Sequence, residues 1–234
     1  MEKPDPKKIA EDFLKLKNVE GEIIFAMIGG SHCYNLNIET SDFDYIAIYS
    51  AKPSSLLGLS SNNSPSVVQN SKTDKIDIAI YEISKFCETL LTGSPVMIQC
   101  LFTENFFFET KEFSELKKNS KIFLCSQTIR AYFGHVKSEI KQINSKDWSK
   151  NLYHAFRLIF EIERILEGKI PKIYWENEER EFLLNIRNEK KSKNEYLFEI
   201  KKKIENIENI EKKLNEYFEI DIIKKGIDLI LIFF

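Results

Sequence analysis

The sequence predicts an α+β protein in which a short mixed sheet with flanking helices comes first and a helical domain follows. Several short apolar segments rich in β-branched and aromatic residues lie before residue 82, and Gly, Ser, Asn or Asp residues separate them, as is typical of buried strands. From about residue 112 onward, apolar residues recur with the helical period instead. We therefore expect one domain at 1–110 and a second at 111–234.

The first domain opens with an amphipathic helix at residues 6–18, where apolar and charged side chains fall on opposite sides. The segment 51–66 is rich in Ser, Asn and Pro and is expected to be mainly loop. Four strands are expected: Glu22–Ile28, Phe43–Tyr49, Ser66–Gln69 and Lys75–Tyr81. Together these strands form the predicted mixed sheet.

Helices dominate after the last predicted strand. A helix at 84–91 is expected to end before Pro95, because proline interrupts helical hydrogen bonding. The clearest helical pattern lies at 148–168, where Gly168 is placed to act as the C-terminal cap. One or two further helices at 178–217 complete the predicted helical domain.

The composition is that of a folded protein, with 43% hydrophobic and 30% charged residues. The net charge of −2 provides no overall attraction to nucleic acid, although a local basic patch is compatible with it. The N-terminal segment lacks the apolar core of a signal peptide, and no apolar stretch approaches the ~20 residues of a membrane span. We expect a cytoplasmic or nuclear protein whose apolar segment 227–234 docks on the helical domain or on a second subunit.

A Gly-Gly-Ser turn directly follows the first predicted strand. Glycines at Gly29 and Gly30 allow the backbone to bend sharply and to approach a ligand. The amides that follow, with the Ser31 hydroxyl, can donate hydrogen bonds to a phosphate. Taken alone, the same turn is also typical of an ordinary strand exit in which Ser31 caps the next helix.

Three aspartates supply the second functional pattern. In a strand, Asp42 and Asp44 would share one face while Phe43 packs on the other; the alternative is a solvated loop that carries two acids. Two carboxylates this close repel one another, and divalent cations such as Mg²⁺ relieve that repulsion. Asp77 lies between two isoleucines in the last predicted strand, and an exposed strand would also tolerate it. Combined with the glycine turn, three carboxylates at one sheet edge are the arrangement that two-metal phosphoryl transfer needs.

The segment GGSHCYNLNIETSDFDYIAIY, at residues 29–49, resembles the signature of the DNA polymerase beta-type nucleotidyltransferase superfamily. In that signature a strand leads to Gly-Ser, an acid pair follows, and a third acid lies on a later strand. More narrowly, the segment is similar to the stand-alone predicted nucleotidyltransferases of the RNA-repair-associated type. The segments 83–102 and 154–169 also resemble that group, so the likeness extends over roughly residues 20–170.

The resemblance implies a polymerase beta palm-like sheet and transfer of an NMP from an NTP, such as ATP, to a hydroxyl acceptor. It implies that Gly30 and Ser31 hold the triphosphate and that Asp42 and Asp44 bind two Mg²⁺ or Mn²⁺ ions. Asp77 would act on the metal that activates the incoming hydroxyl. An RNA or tRNA end is the expected acceptor, with a small molecule or a protein hydroxyl as open alternatives. The rival functions are an antitoxin-like enzyme that transfers AMP to a protein and a catalytically inert nucleotide-binding scaffold.

Several further residues carry weaker signals. Lys150, His154 and Arg157 share one helix face, and the resemblance of this helix to that of the family leads us to expect His154 and Arg157 in nucleotide binding. The alternative is a solvent-exposed polar stripe. His32, beside the glycine turn, is expected to have a structural role, and the aromatic run 106–108 is expected in the core.

Overall fold

The computed structural model describes residues 5–57, 64–70 and 77–211. Within these residues the strands are β1 (Gly21–Ile28), β2 (Asp44–Ala51), β3 (Val67–Gln69), β4 (Asp77–Glu82) and β5 (Phe108–Glu109). The helices are α1 (Pro6–Leu16), α2 (Gly30–Cys33), α3 (Pro53–Leu56), α4 (Ile83–Leu91), α5 (Pro95–Phe102), α6 (Lys111–Lys118), α7 (Ser126–Lys141), α8 (Trp148–Leu166), α9 (Asn177–Arg187) and α10 (Lys193–Glu211). A 3-10 turn at Ser120–Phe123 precedes α7.

The five strands form one sheet in the order β3-β4-β2-β1-β5. Strand β1 is antiparallel to both β2 and β5, whereas β2 runs parallel to β4, and β3 is antiparallel to β4. The sheet is therefore mixed. The predicted α+β class, a mixed sheet with flanking helices followed by a helical region, is confirmed.

Strand β1 is apolar over most of its length because both faces of the sheet are covered there. Residues 23–28 are buried without a break. On one face, Phe25 stacks on Phe113 of α6 with ring centroids 4.4 Å apart. The other face packs against α1 through Ala10 and Phe13, in a cluster that also includes Ala26. The central strands are thus held in place by packing on both sides.

The structure divides into two compact units. Among the described residues, the sheet unit comprises 5–90 and 103–119, and the helical unit comprises 91–102 and 120–211. Helix α8 is the centre of the helical unit and packs against α7, α9 and α10. No helix in the described part of the chain is long and apolar enough to cross a membrane. The expected domain boundary at residue 110 stays a prediction.

Three local features differ from the sequence analysis. The segment 51–66 includes the short helix α3. Pro95 begins α5, which is consistent with the preference of proline for the first turn of a helix, where its missing N–H costs nothing. Of the run 106–108, only Phe108 belongs to the edge strand β5, and Phe107 is 45% exposed, so the expected core position is wrong for Phe107. The predicted apolar segment at 227–234 and the end of the helix predicted at 178–217 lie outside the described residues.

Candidate active site at one end of the sheet

The glycine turn after β1 brings the backbone into direct contact with Asp44. Gly29 N donates to Asp44 O at 2.8 Å, which ties the turn to the start of β2. Gly30 adopts a φ of +57°, in the left-handed region that favours glycine. A Cβ at Gly30 would lie 1.6 Å from Asp44 Oδ2, so no other residue fits without displacing the carboxylate. The glycine is therefore required by the position of the acid as well as by the turn.

The two acids at the strand starts are register partners. Asp44 is the first residue of β2 and Asp77 the first residue of β4, and the parallel register pairs them directly. Paired residues on neighbouring strands place their side chains on the same face, with the strands ~4.8 Å apart. Since β1 is antiparallel to β2, the turn at Gly30 lies at this same end of the sheet. The structure thus brings together Gly30, Asp44 and Asp77.

Asp42 lies outside the strand. It precedes β2 by two residues, has no regular secondary structure and is exposed. The expected alternation of side chains assumes a strand through Asp42. Because Asp42 is not in a strand, that alternation does not set the direction of its side chain. Ser31 is 7% exposed and belongs to α2, where its carbonyl oxygen accepts a hydrogen bond from Leu36 N at 2.9 Å.

The donor chemistry of this end of the sheet suits a hard divalent cation. Mg²⁺ in nucleotide-dependent enzymes is typically bound by one or two carboxylates together with substrate phosphates and water. Asp44 and Asp77 supply two register-paired carboxylates, and Asp42 is close in sequence. Within the described ranges, no three His, Cys, Asp or Glu side chains form a ready-made ligand set. The residues fit a site that the substrate helps to complete.

Two neighbouring side chains contact the acidic segments, and the sequence analysis did not assign either to the site. His32 stacks on Phe43, with ring centroids 4.2 Å apart and an angle of 15° between the planes. Asn70, just after β3, lies against Asp77. When the Asn70 side-chain amide is oriented so that its nitrogen faces hydrogen-bond acceptors, that nitrogen donates to Asp77 Oδ1 at 3.2 Å. The only signal for Asn70 in the sequence is an asparagine at a strand end, which is common in turns.

His154 and Arg157 belong to the helical unit. Both lie on α8, where His154 is half-buried and Arg157 is 6% exposed. Burial, together with the nearby charges of Arg157, Lys150 and Arg187, lowers the pKa of His154 to about 3. The imidazole is therefore neutral at physiological pH. Because Arg157 is buried, the alternative of a solvent-exposed stripe is wrong at that position.

Arg157 forms an ion pair with Glu161 one helical turn further along α8. Glu161 is 1% exposed, and burial raises the pKa of its carboxyl while Arg157 opposes that shift. The neighbouring helix α7 contributes His135, whose pKa burial lowers, and Glu139, whose pKa burial raises. The buried side of α8 is thus mainly apolar, and Arg157 and Glu161 form one buried ion pair within it.

A mixed sheet in which a Gly-Gly-Ser turn meets strand-starting aspartates defines the class of polymerase beta-type nucleotidyltransferases. The model of RlaP, described as the RNA repair pathway DNA polymerase beta family, matches residues 7–224. The chain belongs to this family, and the resemblance seen in the sequence is confirmed. Family membership supports nucleotidyl transfer as its general activity.

The other comparisons are more distant. No curated protein matches the chain. Among solved structures, the chain is similar to a nucleotidyltransferase-like protein from Exiguobacterium sibiricum 255-15, with 12% sequence identity and a TM-score of 0.33. That match covers 89% of this chain and 74% of the other.

Proposed function

We propose that this protein transfers an NMP from an NTP to a hydroxyl acceptor, with divalent cations bound at Asp42, Asp44 and Asp77. The observation that carries the proposal is the register pairing of Asp44 with Asp77, next to the Gly30 backbone. Two carboxylates paired at the end of a sheet repel one another. A cation bound between them attracts both and offsets that repulsion. Family membership supports the same reaction class.

Each residue has a distinct role in this proposal. The turn at Gly30 and Ser31 holds the triphosphate through its backbone amides and the Ser31 hydroxyl, while the missing Cβ of Gly30 leaves room for the Asp44 carboxylate. Asp42 and Asp44 would hold two Mg²⁺ or Mn²⁺ ions, and Asp77 would act on the ion that activates the incoming hydroxyl. When bound, the ions would neutralise charge on the attacking and leaving oxygens. The chain itself contributes orientation of the reacting groups rather than covalent chemistry.

We also propose that the helical unit contributes to nucleotide binding through His154 and Arg157. Neutral His154 can exchange a hydrogen bond with a phosphate or a sugar hydroxyl. Arg157 is buried and paired with Glu161, and it lies with Lys150 and Arg187 among the cations around His154. Cations near a half-buried imidazole suit an anionic ligand.

The acceptor we propose is an RNA end, in particular a tRNA end. The description of the family as part of an RNA repair pathway supports this choice. A net charge of −2 fits recognition of a short end better than a long electrostatic track. Transfer of AMP to a protein, transfer to a small molecule, and nucleotide binding without transfer are the competing outcomes of the test.

The test is incubation with each labelled NTP and Mg²⁺ or Mn²⁺, in the presence of RNA, protein and small-molecule fractions. Wild type is compared with Asp44→Asn, Asp77→Asn and a matched control, Glu39→Gln, which neutralises an exposed acid in the loop between the two motifs. We expect both aspartate variants to lose transfer by about 10³-fold, the size of effect seen when one transition-state-stabilising group is removed. The control should keep wild-type activity.

The labelled fraction identifies the acceptor. Label in RNA supports the proposal in full, whereas label in protein or small molecules keeps the reaction class and replaces the acceptor. Metal-dependent NTP binding without any transfer would favour the scaffold. Equal transfer by wild type and Asp44→Asn would refute the proposed role of the carboxylates.

A further inference from the structure

His32 connects the glycine turn to the acidic segment. It belongs to α2, which begins at Gly30, and its ring stacks on Phe43 with centroids 4.2 Å apart. Its Nε2 lies 3.4 Å from the Ser41 carbonyl oxygen, to which it can donate a hydrogen bond. Phe43 stands between Asp42 and Asp44 in the chain. Both contacts of His32 therefore hold the segment that carries the proposed metal ligands.

The acidic segment needs such support because regular structure does not fix it. Ser41 closes a turn with Ile38, through Ser41 N donating to Ile38 O at 3.0 Å and Ile38 N donating to Ser41 Oγ at 2.9 Å. Asp42 and Phe43 follow without regular secondary structure, and both are exposed. Residues outside helices and strands retain conformational freedom unless side-chain contacts remove it. Stacking on an exposed aromatic ring is a contact of that kind.

Asp44 and Asp42 are held in different ways. Asp44 is held by the pairing of β2 with its neighbouring strands and by its contact with the Gly30 backbone, so the sheet fixes its position. Asp42 lies beyond the sheet, and its neighbours are held by the hydrogen bonds between Ser41 and Ile38 and by the ring contact of Phe43 with Tyr45. His32 is the residue that contacts both neighbours, Ser41 and Phe43, and joins them to the glycine turn. A metal site that uses both acids requires their separation to be fixed, because small displacements of ligands weaken binding and slow the reaction.

We propose that His32 is a positioning residue, which fixes Asp42 relative to Asp44 by holding Ser41 and Phe43 against the glycine turn. The inference rests on the proposed function, since it concerns the same acids. His32 acts through its neighbours rather than on the substrate, and its ring and its hydrogen bond contribute separately. Removal of both contacts should loosen Asp42, whereas a ring of similar size should preserve much of its position.

The experiment compares His32→Ala, which removes both contacts, with His32→Phe, which keeps a stacking ring, and His32→Asn, which keeps a donor. Three readouts are measured: amide hydrogen exchange at residues 41–44 in metal-free protein, Mn²⁺ affinity by electron paramagnetic resonance, and kcat and KM for the NTP. We expect His32→Ala to exchange faster and to bind Mn²⁺ about tenfold more weakly, as supporting residues of metal sites do. We expect kcat to fall and KM for the NTP to change little, with His32→Phe closer to wild type.

A double-mutant cycle between His32 and Phe43 controls for a general folding defect. Phe43→Ala should reproduce the part of the His32→Ala effect that comes from stacking, and the combined variant should be no worse than His32→Ala, because both single variants lose the same stacking contact. Additive losses would overturn the inference. So would unchanged exchange and unchanged Mn²⁺ affinity in His32→Ala, or a His32→Phe variant as defective in kcat as His32→Ala with normal exchange, which would indicate contact with substrate.

The outcomes for His32 and for the proposed function are separable. Wild-type protein that binds no Mn²⁺ and transfers no nucleotide would remove the proposed function and, with it, the positioning role. Wild-type protein that binds Mn²⁺ through Asp44, while His32→Ala behaves identically in all three readouts, would overturn the inference on His32 and leave the proposed function intact.

Discussion

The candidate metal-binding aspartates of the sheet unit and Glu161 of the helical unit lie in opposite environments. In the sheet unit, Asp42 and Asp77 are both exposed; Asp77 begins β4, and Asp42 precedes β2 by two residues. In the helical unit, Glu161 is 1% exposed and pairs with the equally buried Arg157. A buried charge is tolerated only with a partner, so the helical unit contains its own counterion. Acids left within reach of solvent at a glycine turn remain available to an external cation.

Replacing Glu161 with Gln should produce the largest change in stability. The substitution keeps the side-chain shape but leaves Arg157 buried without its countercharge. We expect the free energy of unfolding to fall by about 3 kcal/mol, the lower end of the cost of breaking a buried pair from one side. The measurement is urea denaturation followed by circular dichroism.

Glu163→Gln, on the same helix, is the matched control. Glu163 pairs with Lys203 at 2.7 Å, and both side chains are about a third or more exposed. A partly solvated pair of this kind contributes at most about 1 kcal/mol. Equal destabilisation by the two variants would show that burial of the Arg157 pair has no special cost, and would break the contrast between the units.

The next largest effect is expected at Gly30. A Cβ there would overlap Asp44 Oδ2, and the φ of +57° is strained for any residue with a side chain. We expect Gly30→Ala to lower nucleotidyl transfer by about 100-fold, because a misplaced ligand costs roughly that much in rate. Initial rates with labelled NTP measure the effect, and thermal unfolding shows whether the protein remains folded.

Gly168→Ala is a control that introduces strain from a left-handed backbone without any contact with an acid such as Asp44. Gly168 has a φ of +73°, similar to that of Gly30, but a Cβ there would meet nothing within 4 Å. We expect a loss of stability of about 1–2 kcal/mol from the left-handed conformation and unchanged transfer. If Gly168→Ala reduced transfer as much as Gly30→Ala, the close approach of Asp44 to the turn would not explain the effect.

The sheet could be predicted from the sequence because its signals are local. The apolar run before Gly29 and the acids around Phe43 define strand ends within a few residues, and they also carry the resemblance to the family. The pairing of Asp44 with Asp77 was not predictable in the same way. A parallel register joins residues far apart in sequence, and no local pattern sets it. The contact of Asn70 with Asp77 depends on the same long-range pairing.

In the helical unit, the spacing of residues in the sequence does not predict which ion pairs are buried. Arg157 and Glu161 are spaced i and i+4, a pattern that is usual for exposed ion pairs on a helix surface. The burial of this pair follows from the packing of other helices against α8, which the spacing of the two residues does not indicate. The periodicity of the apolar residues predicted the helix itself, and Gly168 adopts the left-handed conformation just beyond its end as expected.

The smallest effect we expect is a dependence of stability on pH that originates at His154. Its pKa is about 3 in the folded protein and ~6.5 in an unfolded chain, so the unfolded state binds more protons between these values. The stability that neutral His154 confers is therefore complete above pH ~6.5 and is lost as the pH falls toward 3. Between pH 7.5 and pH 5.5 we expect a loss of about 1 kcal/mol from this residue.

Urea denaturation of wild type and His154→Gln at both pH values measures this contribution. His135, Glu139 and Glu161 also have shifted pKa values in the same cluster, so the difference between the two proteins isolates His154. The variant should lose less stability on acidification than wild type. Equal losses would mean that His154 takes up a proton in the folded state near its ordinary pKa, and that the cations around it do not oppose its protonation. An anionic ligand that neutralised those cations would raise the pKa of His154, so the same titration repeated with an NTP reports directly on the proposed binding role of the helical unit.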